Sequence, residues 1–387
     1  MRLPRILIAV LCFLSFRCSE AQDRGVLLRV TAPSQAAQSA QNLPAQAAPS
    51  AQSAPATAPA ADHRIWLDVV VTDKSGNPIP GLQQADFKIL DSKQPTNILS
   101  FSATDPNSRA ANSLQVIFLV DAVNTGAQSM SYERDQLEKF LREDGGKLEL
   151  PTSLVLFTDT ATQVQPASTR DGNALADLLK SNPSGLRISG RSQGFYGAED
   201  RLALSLRTLE QLTTYESKQP GRKLLIWISP GWPLLSGPTV MLSEKNQEWL
   251  FRRVVSFSNA LREARITLYS VDPLGLADAV GGRTFYYQTF LKGVPSANRV
   301  QSGNLALQVL ATQSGGRVLN TSNEITRLIS SVLIDARAYY SLSFDAPPAD
   351  RADEYHNLEV RVDKPGLVAR TRTGYYAQPY KSTGRGN

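Results

Sequence analysis

The chain has 387 residues, 41 of them Lys or Arg and 35 Asp or Glu, for a formal charge of +6, with two histidines and two cysteines. That length is enough for two domains with sizeable cores. So dilute a positive charge, with no Lys/Arg run interleaved with aromatics, calls for no nucleic-acid partner.

Arg2 and Arg5, the apolar run Ile6 to Phe16 and the small-x-small stretch Ser19-Glu20-Ala21 predict a signal peptide over residues 1–21. The expected location is therefore secreted or periplasmic, within the cell envelope. The run is too short to span a bilayer. Cys18 offers a lipoprotein alternative, which the bulky Arg17 before it disfavours. Cys12 and Cys18 both fall inside this segment, so cleavage after Ala21 would leave a mature chain with no disulfide, thiolate metal site or cysteine nucleophile. Its charge falls to +4, 38 basic residues against 34 acidic. Residues 22–62 form an expected disordered linker, because from Thr31 to Ala61 they are almost entirely Ala, Gln, Pro and Ser.

From His63 the apolar pattern has period two. Ile65 to Thr72 predicts a strand, Asp73 to Pro78 a turn, and Asp86 to Leu90 and Ile98 to Phe101 further strands. This segment, 63–104, supplies half of a small β-sandwich. The expected second half is 336–378, where Tyr339 to Phe344 and Leu358 to Asp363 alternate again before Gly374-Tyr375-Tyr376. Residues 379–387 read as a flexible tail.

The intervening block, 113–335, alternates strands and helices and predicts a doubly wound, mostly parallel α/β sheet inserted into that sandwich. Its opening run, Leu114 to Asp121, is apolar enough to be buried on both faces. A helix from Ser131 to Glu143 follows, with Leu137, Phe140 and Leu141 on one face. Ser153 to Asp159 and Thr162 to Pro166 lie too close for a helix between them and predict a hairpin. Helices are expected over Asn173 to Lys180, Glu199 to Glu216, Gln247 to Arg265 and Leu305 to Ser314. Buried strands are expected over Lys223 to Ser229 and Ile266 to Asp272. Thr321-x-x-Glu324 reads as a capping box opening the last helix.

In such a sheet, ligands bind beyond the carboxyl ends of the strands. There the strands end in Asp121, Asp159, Ser229 and Asp272. The candidate binding residues are Asp121, Asn124, Thr125, Ser229, Gly231, Trp232 and Asp272. Asn124 and Thr125 are expected to hold the crevice loop through backbone hydrogen bonds. Trp232, Phe285, Tyr286, Tyr287 and Phe290 are expected in loops above it, the last four in an excursion from 273 to 303, as interface anchors. His63 and His356 read as surface histidines remote from the crevice. With no Walker or dinucleotide fingerprint either, the expectation is a protein that is not an enzyme.

The order strand-Asp121, helix, hairpin, helix, strand-Ser229-Pro230-Gly231-Trp232-Pro233, helix, strand-Asp272 resembles a von Willebrand factor type A domain. Val71-Thr72-Asp73-Lys74-Ser75-Gly76-Asn77-Pro78, Gly81-Leu82 and Asp86-Phe87, with Val368-Ala369-Arg370 and Arg372-Thr373-Gly374-Tyr375-Tyr376, narrow it. Together they resemble the VWFA-related domain proteins known chiefly from Acidobacteria, over residues 63 to 378. The resemblance implies a D-x-S-x-S metal site completed by a later threonine and an aspartate. Asp121 matches the first aspartate and Thr125 replaces the second serine, but Val123 and Pro230 stand where ligands belong. Two side-chain ligands remain, Asp121 and Thr125, where five are usual. The implied site is degenerate and holds no cofactor, Mg²⁺ or Ca²⁺ being the ion it would otherwise take. The leading expectation is an adhesion or binding protein that engages a protein partner. Two alternatives stay open: a periplasmic hydrolase with a carboxylate-rich, cation-assisted crevice, and an envelope carbohydrate- or peptide-binding module.

Overall fold

The computed structural model describes residues 28–29, 63–104, 114–182, 195–234, 242–272 and 286–379. The signal segment, nearly all of the 22–62 linker, the 273–285 part of the excursion and the end of the tail lie outside them.

The strand Leu114–Asp121 is the axis of a mixed α/β unit. Val116, Phe118 and Val120 face one apolar cluster and Ile117 and Leu119 the other. A strand that buries both faces needs helices on both sides, which a parallel sheet with crossover connections provides. The edge strands are β1 (Leu28–Arg29), β8 (Thr162–Val164) and β9 (Thr169–Asp171), the axis is β6, and the others are β7 (Lys147–Phe157), β10 (Arg222–Ile228), β11 (Ile266–Val271) and β12 (Val318–Leu319). Their order is β1-β8-β7-β6-β10-β11-β12, with β9 also on β7. The pairs from β7 to β12 are parallel, and β8, β9 and β1 join antiparallel.

Helices α1 (Ala127–Arg142), α2 (Gly172–Ser181) and α6 (Ile325–Arg337) cover one face. Helices α3 (Phe195–Glu216), α4 (Glu244–Glu263) and α5 (Leu307–Gln313) cover the other. Helices on both faces accompany the mostly parallel sheet read from the strand–helix alternation.

Two four-stranded antiparallel sheets complete the molecule. One runs β15-β2-β13-β5 (Val368–Arg370, Arg64–Thr72, Tyr339–Asp345, Ser100–Thr104). The other runs β16-β14-β3-β4 (Gly374–Ala377, Glu354–Val362, Phe87–Asp91, Gln94–Thr96). Segments before and after the α/β unit interleave in the first and lie side by side in the second, and one apolar cluster, with Leu67, Ile89, Tyr340, Phe344 and Tyr375, draws on both sheets. Period two in β2 assigns its faces: Ile65, Leu67, Val69 and Val71 enter this cluster. On the opposite face Val70 packs in the α/β core and Asp68 binds Arg265, so β2 is the seam between the two units.

Several expectations change. Leu28–Arg29, inside the expected linker, is an edge strand on β8, because that strand otherwise offers unpaired backbone to solvent. Helix α1 starts four residues earlier than expected, directly after Gly126. The stretch 305–314 divides into a 3₁₀ turn ending at Leu305 and α5. The capping box at Thr321 does not form: Ser322 Oγ accepts from Glu324 N (3.0 Å), and the Glu324 side chain makes no capping bond. His356 is no surface residue, since it lies on β14 with its ring buried, Nδ1 2.8 Å from Asp91 Oδ1. Tyr375 donates to the other oxygen of Asp91 (2.6 Å), so one buried carboxylate ties β3, β14 and β16 together.

Candidate functional site

The crevice is built at the carboxyl ends of β6, β10 and β11. Asp121 ends β6 fully buried, and four groups of the chain converge on it. Oδ1 accepts from the backbone N–H groups of Val123 (3.0 Å) and Asn124 (2.9 Å). Oδ2 accepts from Asn124 Nδ2 (2.8 Å) and Trp227 Nε1 (2.9 Å). These bonds favour the charged carboxylate, yet burial outweighs them and raises the Asp121 pKa. Trp227 comes from the neighbouring strand because β6 and β10 pair Leu119 with Trp227. Its ring is wedged edge-on between Phe157 and Trp232.

Asn124 fixes the crevice loop, but through side chains rather than through the backbone bonds expected of it. Its Nδ2 also donates to Ser205 Oγ on α3 (2.9 Å), which donates in turn to the Arg201 carbonyl (2.8 Å). Thr125 is buried and its hydroxyl makes no hydrogen bond of good geometry among the described residues, so it too departs from the expected backbone anchor. Ser229 directly follows β10, is fully buried and accepts from Gly231 N (3.0 Å). Gly231 has φ +91°, a left-handed conformation that favours glycine. Asp272 is buried at the end of β11, its N–H bonded to the Leu319 carbonyl (2.9 Å).

Trp232 is not an exposed anchor. It is 5% exposed and donates from Nε1 to the Leu305 carbonyl (2.8 Å). Phe290 is likewise buried, packing with half-buried Tyr287 in a small cluster on α5. The described part of the excursion, 286–303, turns toward the antiparallel sheets: Tyr376 Oη donates to the Val294 carbonyl (3.1 Å) and Arg351 to that of Pro295 (2.9 Å). Phe285 lies outside the described residues.

The residue that sequence reasoning missed is Glu133. It sits on α1 between Met130 and Leu137, in the apolar stripe, and is 1% exposed. Neither carboxylate oxygen has a hydrogen-bond partner among the described residues. Burial first, then the charge of Asp121, holds its carboxyl well above the ordinary range; Asp272 adds to this, and the nearby Thr125 hydroxyl opposes it. A charged residue at a core position of an amphipathic helix was the available signal. Its depth argues against proton transfer, since a general acid must reach its substrate. Among the described residues, no group of three or more His, Cys, Asp or Glu side chains is arranged to hold a metal ion. No described helix is long and apolar enough to cross a membrane.

No family model and no curated protein matches the sequence. Among solved structures, the chain is similar to the human COPII-coat protein Sec24c at a TM-score of 0.31 and 8% identity, over 73% of this chain. The chain spans 47% of that protein. A likeness of that degree assigns neither family nor activity.

Proposed function

We propose that the chain is a secreted, non-catalytic binding protein, a von Willebrand A-like unit inserted into a β-sandwich, that engages a protein partner without a metal ion. The observation that carries this reading is the closure of Asp121. A cation needs the lone pairs of its carboxylate, and here two N–H donors meet each oxygen, one of them an indole fixed by the sheet register. Binding a metal would strip the Trp227 and Asn124 donors of their acceptor inside a buried core, at a cost of about 1–3 kcal/mol for each.

The test is capture of proteins from cell-envelope extract by the full chain, run in parallel with EDTA and with Mg²⁺. Supporting the reading, the same partner is retained in both. Retention that needs Mg²⁺, or hydrolysis of envelope material lost on Asp121→Asn, contradicts it.

A further inference from the structure

At the opposite end of the parallel sheet from the crevice, a shallow cleft opens where β2 meets the end of α4 and the start of β11. Trp66 and Asp68 of β2, Arg262 in the last turn of α4, Arg265 just after it, and Thr371 and Arg372 of the β15–β16 connection line it. Arg265 Nη2 lies 2.8 Å from Asp68 Oδ1, and Ser341 Oγ donates to the same oxygen (2.7 Å). Behind them Arg222, 1% exposed and stacked 4.4 Å over the Tyr339 ring, stands 3.8 Å from Asp68 Oδ2. Arg262 pairs at the rim with Glu263 (3.2 Å).

Four guanidinium groups thus meet two carboxylates, leaving two positive charges unmatched. The imbalance is felt inside the cleft: burial, and then the charge of Arg262, pushes the Arg372 pKa down to about 9. Burial also lowers that of Arg262. The Nε–H groups of Arg222, Arg262 and Arg265 have no hydrogen-bond partner among the described residues. Beside them Lys223 is bonded to three backbone carbonyls and opposed by Glu216. Buried, mutually repelling arginines with idle donors are costly unless an acceptor arrives. Guanidinium forks match the oxygens of a phosphoryl group, and a dianion balances the charge.

We propose that this cleft binds a phosphoryl dianion through Arg262, Arg265 and Arg372. Trp66, 45% exposed at the mouth, offers a flat face to whatever carries the phosphoryl group. This site is separate from the crevice, so it stands whether or not the metal-free reading does.

The test is thermal unfolding of the full chain with inorganic phosphate, phenyl phosphate or acetate, ionic strength held constant with NaCl. A ligand that prefers the folded state raises the midpoint in proportion to the logarithm of its concentration. The expected result is a rise with both phosphates and none with acetate. A larger rise with phenyl phosphate assigns the site to a phosphorylated molecule held against Trp66, and equal rises assign it to the free anion. Arg262→Gln, at a side chain that reaches the surface, is expected to weaken apparent binding about tenfold while remaining folded by circular dichroism. No rise beyond chloride, an equal rise with acetate, or a full response retained by both Arg262→Gln and Arg265→Gln overturns the proposal.

Discussion

Asp121 and Glu133 are two buried carboxyl groups held in opposite ways, and a single substitution at each tells them apart. Asp121 is surrounded by donors, so Asp121→Asn turns an amide NH₂ toward N–H groups that need an acceptor. The expected loss is about 3 kcal/mol of unfolding free energy, read from urea denaturation. Glu133 lacks such donors, and the fold favours its protonated form. As pH rises past the ordinary carboxyl value the unfolded chain releases this proton while the folded chain keeps it. Stability therefore falls with pH until the raised folded-state pKa is passed. Glu133→Gln removes that penalty: its thermal midpoint should equal the wild type's near about pH 4 and exceed it progressively toward about pH 8. Glu216, raised by burial to about 7, adds a slope of the same sign to both proteins and cancels in the comparison.

Among the elements, β10 does more than cross the core. Arg222 and Lys223 begin it, both 1% exposed. Lys223 Nζ donates to the carbonyls of Glu216 (2.9 Å), Gln219 (2.5 Å) and Ala264 (3.1 Å), closing the ends of α3 and α4 together. Unsatisfied helix-end carbonyls require such a cap when buried. Lys223→Met keeps the apolar stem and removes the donor, and a loss of about 2–4 kcal/mol in chemical denaturation is expected. In the antiparallel sheets, Tyr375→Phe takes one donor from Asp91 and should cost about 1–2 kcal/mol by the same measurement.

The elements themselves were largely legible. Period two in Ile65 to Thr72, the hairpin forced by the short gap after Asp159, and the continuous apolar runs at Leu114 and Lys223 each reflect local burial that one stretch of sequence records. The site was less so. Asp121, Ser229 and Asp272 follow the paired residues Val120, Ile228 and Val271 and so stand in one row at the strand ends, but what closes Asp121 is Trp227, 106 positions away, brought there by sheet register alone. Trp232 and His356 were misread for a related reason: an aromatic in a Gly/Pro turn, or a histidine on an alternating strand, is buried or exposed according to which distant element lands on it.

For the whole molecule, the two units share β2 as a seam, with odd positions in one core and Val70 in the other. Such a seam couples their unfolding, and a single cooperative transition is expected for the full chain. The most direct measurement of the central claim, a crevice carboxylate closed by the chain's own donors, is the thermal midpoint of the full protein in EDTA and in millimolar Mg²⁺ or Ca²⁺. Coincident midpoints are the predicted result. A midpoint that climbs with cation concentration in the wild type, and no longer does so in Asp121→Asn, would contradict it.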